Sequence, residues 1–250
     1  MTFFIAFIDL TKAFDTVNRH LLWQVLGKFG CRPHFLSILR EFHTDMSARV
    51  VQEGELSKSF GVNTGVKQGC VPAPVIFNLF LVAVTLIFRH NISVADGVRI
   101  NCRLDGSLFN IRRLQAVTKV TNDTILDLQY AAVAALPSHT PDGLQRQLDA
   151  ISSAYSRAGL VINSKKTEVL YLPSESLLPP TFYISGHQFG LTEQFTYLGT
   201  LITSTCDLTA EIQHRLNLGS ASFGRLSKRV FTNRDLSHAP RWPFTTQWAS

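Results

Sequence analysis

Hydrophobic positions along this chain fall into unbroken runs, alternating runs and runs at helical spacing. The first, "FFIAFIDL" (3–10), is unbroken and rich in aromatics, the pattern of a central strand buried on both faces. After it, Val17, Leu21, Leu22, Val25, Leu26 and Phe29 recur at helical spacing. Asp15 is placed as the N-cap of that helix, Gly30 as its stop and Pro33 as the opening of the next, "PHFLSILREFH". "ARVVQEG" and "KSFGVNTG" read as a strand pair around a turn at Glu53-Gly54. "VIFNLFLVAVTLIF" (75–88) is a long apolar helix with Pro74 near its first turn. It is short for a membrane span and carries Asn78, so burial in a fold suits it better.

Further on, "GVRINCRLDGSLFNI" reads as a hairpin around Asp105-Gly106, and "TILDLQYAAVAAL" as one strand, although its alanines also suit a helix. "TPDGLQRQLDAISSAYSRAGL" sets Leu144, Leu148, Ile151 and Tyr155 on one helix face. "VINSKKTEVLYL" and "FTYLGTLIT" return as strands, and "LTAEIQHRLNLGSASFGRLSKRVF" begins a basic helix. This order is mixed α+β, with too few β-α alternations for a doubly wound parallel sheet.

Composition narrows the reading. Hydrophobic residues are 45% of the chain, with 18 Phe, enough for a sizeable core. The net charge of +6 suits a nucleic-acid or acidic partner. Cys31, Cys70, Cys102 and Cys206 are far apart, with no C-x-x-C pair, and read as thiols in a reducing intracellular compartment. The apolar start lacks a basic n-region and is interrupted by Asp9, so neither a signal peptide nor a membrane partner is expected.

The chemistry enters through four short stretches. "FIDLTKAFDTV" resembles the first palm motif of reverse transcriptases, especially those of non-LTR retrotransposons. "GVKQGCVPAP" is similar to the second motif, "AYSRAGLVINSKKTEV" to the fourth and "FTYLGTLI" to the primer grip, in the family's order over roughly residues 4–235. "LDGSLFNIRRLQAVTKV" resembles the insertion such elements carry before the third motif. The resemblance implies a palm-type antiparallel sheet backed by helices over residues 1–204, with a hairpin insertion at about 96–112. A partial thumb helix (205–236) and a divergent tail (237–250) complete it. The fingers segment that precedes the first motif in the family, and an endonuclease domain, are expected to be missing.

The implied activity is RNA-directed DNA synthesis, with an RNA template and an RNA–DNA hybrid as partners and Mg²⁺ as cofactor. Phosphoryl transfer of this kind rests on positioning and electrostatics, with two ions about 3.5–4 Å apart clamping the attacking and leaving oxygens. Hard Mg²⁺ needs oxygen ligands, hence carboxylates from neighbouring strand ends. By the resemblance, Asp9 is the first metal-binding aspartate, and Leu10 and Phe14 are nucleotide-binding positions. Phe14 stands where the family has a bulky gate against the ribose 2′-OH. Gln68 and Gly69 form the loop that touches nucleotide and template, where Gly lets backbone come close. Lys166 matches the lysine thought to protonate the pyrophosphate leaving group, and Tyr197, Leu198 and Gly199 the primer grip. Asp15 matches the second acid of "AFD", and its helix-capping role is the alternative.

One motif departs. The third motif of the family reads Tyr-Ala-Asp-Asp, and here it reads Tyr130-Ala131-Ala132-Val133. Ala132 and Val133 stand at both aspartate positions, and neither side chain ligates a metal. Asp127 is no substitute, since it lies roughly 16 Å along an extended strand and on its opposite face. Asp142 lies beyond Pro137 and Pro141, in the turn to the next helix. Pro72 stands where the family has a non-proline residue. These departures predict weak or no metal binding and an inactive centre. The alternative is a non-catalytic nucleic-acid-binding protein on the same scaffold. Arg99, Arg103, Arg112, Arg113 and Lys119, with Arg215, Arg225, Lys228 and Arg229, would form either its phosphate-tracking face or an ordinary solvated one.

Overall fold

A computed structural model describes residues 2–102, 117–118, 120–172 and 179–232, in two compact units, Met1–Thr192 and Glu193–Ser250. In chain order the first unit opens with β1 (Phe3–Asp9), a short turn of helix α1 (Ala13–Thr16), α2 (Arg19–Lys28) and α3 (Pro33–Glu41). Next come the short strands β2 (Ser47–Ala48), β3 (Val51–Gln52), β4 (Glu55–Leu56) and β5 (Phe60–Gly61), with β2 paired to β5 and β3 to β4. The helix α4 (Ala73–His90), a 3₁₀ turn (Val94–Asp96), β6 (Val98–Cys102), β7 (Thr121–Ile125), β8 (Leu128–Tyr130) and β9 (Val133–Ser138) follow. Then come α5 (Pro141–Arg157), β10 (Glu168–Leu172), β11 (Phe182–Ile184), β12 (His187–Phe189) and β13 (Leu191–Thr192). The second unit holds the hairpin β14 (Gln194–Tyr197) and β15 (Thr200–Thr203), then α6 (Thr209–Leu226) and a single π-helical turn (Ser227–Phe231). This division falls ahead of the palm boundary at 204 read from the sequence.

The main sheet has the order β13-β10-β1-β9-β8 and is antiparallel except where β13 joins β10 in parallel. β1 lies in the middle because its side chains are apolar on both faces: Phe4, Ala6, Phe7 and Ile8 are all buried. α4 and α5 pack on each other, and α5 packs on β1 and β9. Their inward faces supply Phe77, Phe80, Phe88, Leu144, Leu148 and Ile151 to the core. By length and composition α4 could cross a membrane, but those three phenylalanines are at 0% exposure inside the fold.

Several expected elements differ. Asn18, not Asp15, caps α2, its Oδ1 accepting from Leu21 N–H at 3.1 Å, because the extended Val17 separates α2 from α1, which contains Asp15. β6 pairs with β7 along Val98↔Ile125 to Cys102↔Thr121, whereas the hairpin expected around Asp105-Gly106 lies outside the described residues. The single strand expected over 124–136 is broken twice. Asp127 turns inward, buried, and accepts a 2.7 Å hydrogen bond from Arg89 Nε on α4. At Ala131 φ is 48°, and the chain reverses between β8 and β9. "FTYLGTLIT" is likewise a hairpin, with φ of 51° at Leu198 and 81° at Gly199, which suits a tight two-residue turn.

An ion pair between the buried Asp96 and the exposed Arg146 fastens the 3₁₀ turn to α5. Asp96 is 2% exposed and takes hydrogen bonds from Arg146 and from Ser93 N–H. Burial alone would raise its pKa, but the Arg146 hydrogen bond, the Ser93 bond and the Arg146 charge outweigh that and hold it below the usual carboxylate value. A depressed folded-state pKa means this pair contributes fully above the unfolded-state pKa and is lost as pH falls through the folded one. Thermal melts from pH 6 down to pH 2 should therefore show a smaller acid-induced loss of stability in Asp96→Asn, which is already weaker at pH 6. Parallel melting curves for the two proteins would contradict the pairing.

Candidate active site

The end of β1 is gripped from both sides. Leu10 N–H donates to Ala132 O at 3.1 Å, and on the other edge Thr11 N–H donates to Val161 O and Asn163 N–H to Asp9 O, both at 2.8 Å. Asp9 stands opposite Val133 in the β1–β9 register. The carboxylate of Asp9 thus projects beside the β8–β9 turn that carries Tyr130, Ala131, Ala132 and Val133, on neighbouring strands of one sheet.

Lys166 reaches the same carboxylate, with its Nζ 3.5 Å from Asp9 Oδ2. Its turn is organised by Asn163, whose side chain accepts from Lys165 N–H at 3.1 Å and whose carbonyl accepts from Thr167 Oγ1 at 2.9 Å. The ammonium is 71% exposed and the carboxylate 22% exposed, so the pair is partly solvated and modest in strength.

This donor set does not fit a pair of divalent cations. β1 supplies one carboxylate, Val133 opposite it supplies only an isopropyl group, and the ion-pair partner of Asp9 among the described residues is itself a cation. Asp127 is committed to Arg89. Among the described residues no group of three or more His, Cys, Asp or Glu is arranged to hold a metal ion.

The other expected site residues divide. Phe14 is half-buried and stacks on Phe77 of α4, ring centroids 4.2 Å apart and 25° between planes. It borders a cavity of about 360 Å³ together with Pro74, Asn78, Gln129, Tyr130 and Ala131. Leu10 is 5% exposed and offers the site its backbone rather than its side chain. Gln68 lines a different cavity, about 670 Å³, shared with Asp15, Arg19 and Lys67. Gly69 is exposed, with φ of +89° and open space where a Cβ would be. Pro72 is accommodated as the residue preceding α4, its carbonyl accepting from Ile76 N–H at 3.0 Å.

Tyr197, Leu198 and Gly199 form the tip of the hairpin in the second unit; burial raises the pKa of the Tyr197 hydroxyl. Of the basic residues, Arg99 lies on β6, whereas Arg215 is bound to Glu211 at 2.6 Å and to Thr200 Oγ1 at 3.1 Å. Arg225 is exposed on α6, and Arg229 is exposed in the π-helical turn that also contains Lys228. Arg103, Arg112, Arg113 and Lys119 lie outside the described residues. Asn163 escaped the sequence reading, although the Asn-Ser step is a recognisable turn signal. Phe77 escaped it as one apolar residue among many.

Residues 3–202 match the family described as reverse transcriptase (RNA-dependent DNA polymerase). The chain is 23% identical over 244 residues to the retrovirus-related Pol polyprotein of the type-2 retrotransposable element R2DM of Drosophila melanogaster, covering 92% of this chain and 21% of that protein. It is 21% identical over 240 residues to the Pol polyprotein of the type-1 element R2 of Bradysia coprophila, 89% of this chain and 24% of that one. An 80-residue stretch is 30% identical to the R2 polyprotein of Popillia japonica, 32% of this chain and 13% of that one. The chain thus spans a quarter or less of the length of these relatives. Apo telomerase of Candida tropicalis, truncated from its C-terminal domain, superposes with a TM-score of 0.51 at 16% identity, covering 82% of this chain and 35% of that one. At that identity the likeness speaks for the fold.

Proposed function

Given that the chain belongs to the reverse transcriptase (RNA-dependent DNA polymerase) family, we propose that it is a retrotransposon-derived palm that engages an RNA template and RNA–DNA hybrid without metal-dependent strand synthesis. The observation that carries this is the pairing of Asp9 with Val133, beside Ala132, where the family places its aspartates. Bound Mg²⁺ in such a site would stabilise charge on the transferring phosphoryl group. Without ligands for it, several kcal/mol of transition-state stabilisation disappear, on the order of 10³-fold in rate or more. Loss of like charges at the strand ends costs the fold nothing and relieves repulsion. Asp9 and Lys166, to which the resemblance assigns metal binding and protonation of the leaving group, instead pair with each other at 3.5 Å.

The test is one preparation with two readouts. On a primed RNA template with deoxynucleotides and Mg²⁺, extension should stay at background. Binding to a labelled RNA–DNA hybrid should be sequence-independent and fall steeply with salt, because phosphate contacts supply nearly all of it. Extension that vanishes in Asp9→Ala would refute the loss of the centre. Binding that persists at several hundred millimolar salt, or that prefers particular bases, would refute the proposed mode of engagement.

A further inference from the structure

Arg19 opens α2, outside every residue to which the family resemblance gives a role, yet all five of its N–H donors are used. Nε donates to Gly65 O at 2.7 Å, and Nη1 to His43 O and Val62 O, each at 2.9 Å. Nη2 donates to Thr64 O at 3.0 Å and to Met46 Sδ at 3.1 Å. One guanidinium therefore joins the chain leaving α3 to the chain leaving β5, the two ends of the β2–β5 excursion.

The same segment is bonded from its other side to the turn after β1. Thr64 Oγ1 donates to Asp15 O at 3.0 Å, Gly65 N–H to Val17 O at 2.8 Å and Val66 N–H to Phe14 O at 2.8 Å. Gly65 makes this approach possible. Its φ is +82°, and a Cβ there would stand 2.6 Å from Asp15 O and 2.7 Å from Asp15 Cα. Two residues beyond Val66 the exposed Gln68–Gly69 loop begins, in which Cys70 N–H reaches back to Lys67 O at 3.3 Å. The loop is thus anchored by this clamp where it begins and by Pro72 and α4 where it ends.

We propose that Arg19, acting with Gly65, is a positioning residue that fixes the Gln68–Gly69 loop relative to Phe14 and the strand end carrying Asp9. The inference rests on the reading of this site as one that engages template and hybrid. The guanidinium suits the task because its planar fork serves separate acceptors at once. A lysine offers three donors from a single atom and cannot span them.

The experiment compares the full chain with Arg19→Ala and Arg19→Lys by amide hydrogen exchange and by salt titration of hybrid binding. In Arg19→Ala, exchange across residues 62–70 should rise about tenfold or more, one hydrogen bond's worth of local stability, while β1 and β10 keep their protection. Arg19→Lys should recover only part of that protection. Hybrid affinity should weaken about fivefold with an unchanged salt slope, since Arg19 holds carbonyls and no phosphate. Unchanged exchange over 62–70, full recovery by lysine, or a slope reduced by about one unit would each overturn the assignment. Should Arg19→Ala lose protection throughout, Arg19→Lys carries the same readings. Failure of the unsubstituted chain to bind the hybrid would sink the reading of the site, while the exchange data would still decide the clamp.

Discussion

Replacing Ala132 and Val133 together by aspartate should lower stability in chelator by about 1–3 kcal/mol and make it climb again as Mg²⁺ is added. Two unit charges on facing residues of neighbouring strands, about 5.5 Å apart, repel by about 3 kcal/mol at an effective dielectric near 20. Lys166, 3.5 Å from Asp9, offsets part of that for the nearest pair. Adding Mg²⁺ to ten times its dissociation constant would return about 1.4 kcal/mol by mass action. The unsubstituted chain should show no such Mg²⁺ response, since Asp9 stands opposite Val133 and beside the turn that carries Ala132. Melting with and without chelator decides the matter independently of turnover. A double variant as stable in chelator as the parent chain would mean that these positions do not face Asp9. A parent chain stabilised by Mg²⁺ as strongly as the variant would mean that other donors hold the ion.

What the sequence disclosed and what it withheld follow one physical division. β1 and the long helices were readable because burial imposes a pattern: β1 is apolar on both faces, and Leu144, Leu148 and Ile151 recur at helical spacing and are all buried. The palm fold and Asp9, opposite Val133 at the strand end, were readable from the motifs. Reversals without turn residues were not. Ala131 takes φ of 48° with no glycine to announce it, so β8 and β9 looked like one strand. Leu198-Gly199 also hid a hairpin, although its glycine was a cue. Long-range polar partners were equally silent. Nothing in "VNRHLL" says that Arg19 bonds to carbonyls 24 to 46 residues away, or that Asp127 finds Arg89 across 38 residues. The hairpin of β11 and β12, in "FYISGHQF", went unread, although Ser185-Gly186 is a turn dipeptide and both residues have positive φ.

Phe77→Ala should be among the most damaging single changes in the first unit, costing about 3–5 kcal/mol and lowering the urea midpoint by about 1–2 M. Phe77 is fully buried in α4, and its ring backs Phe14 with centroids 4.2 Å apart, so truncation removes both core volume and the stacking partner. Val82, on the same helix but 48% exposed, provides the internal control: Val82→Ala should stay within about 0.5–1 kcal/mol. The comparison also bears on why Phe14 is a phenylalanine. The family resemblance gives it the task of excluding a ribose hydroxyl, a task that the proposed inactive centre would not need. Packing is a sufficient reason to keep it: its ring stacks on Phe77 and packs against the core. On that account Phe77→Ala and Phe14→Ala should be non-additive, because each removes the same stacked pair. If their costs sum to within about 0.3–0.5 kcal/mol in the double variant, the two rings are energetically independent and the packing account of Phe14 fails.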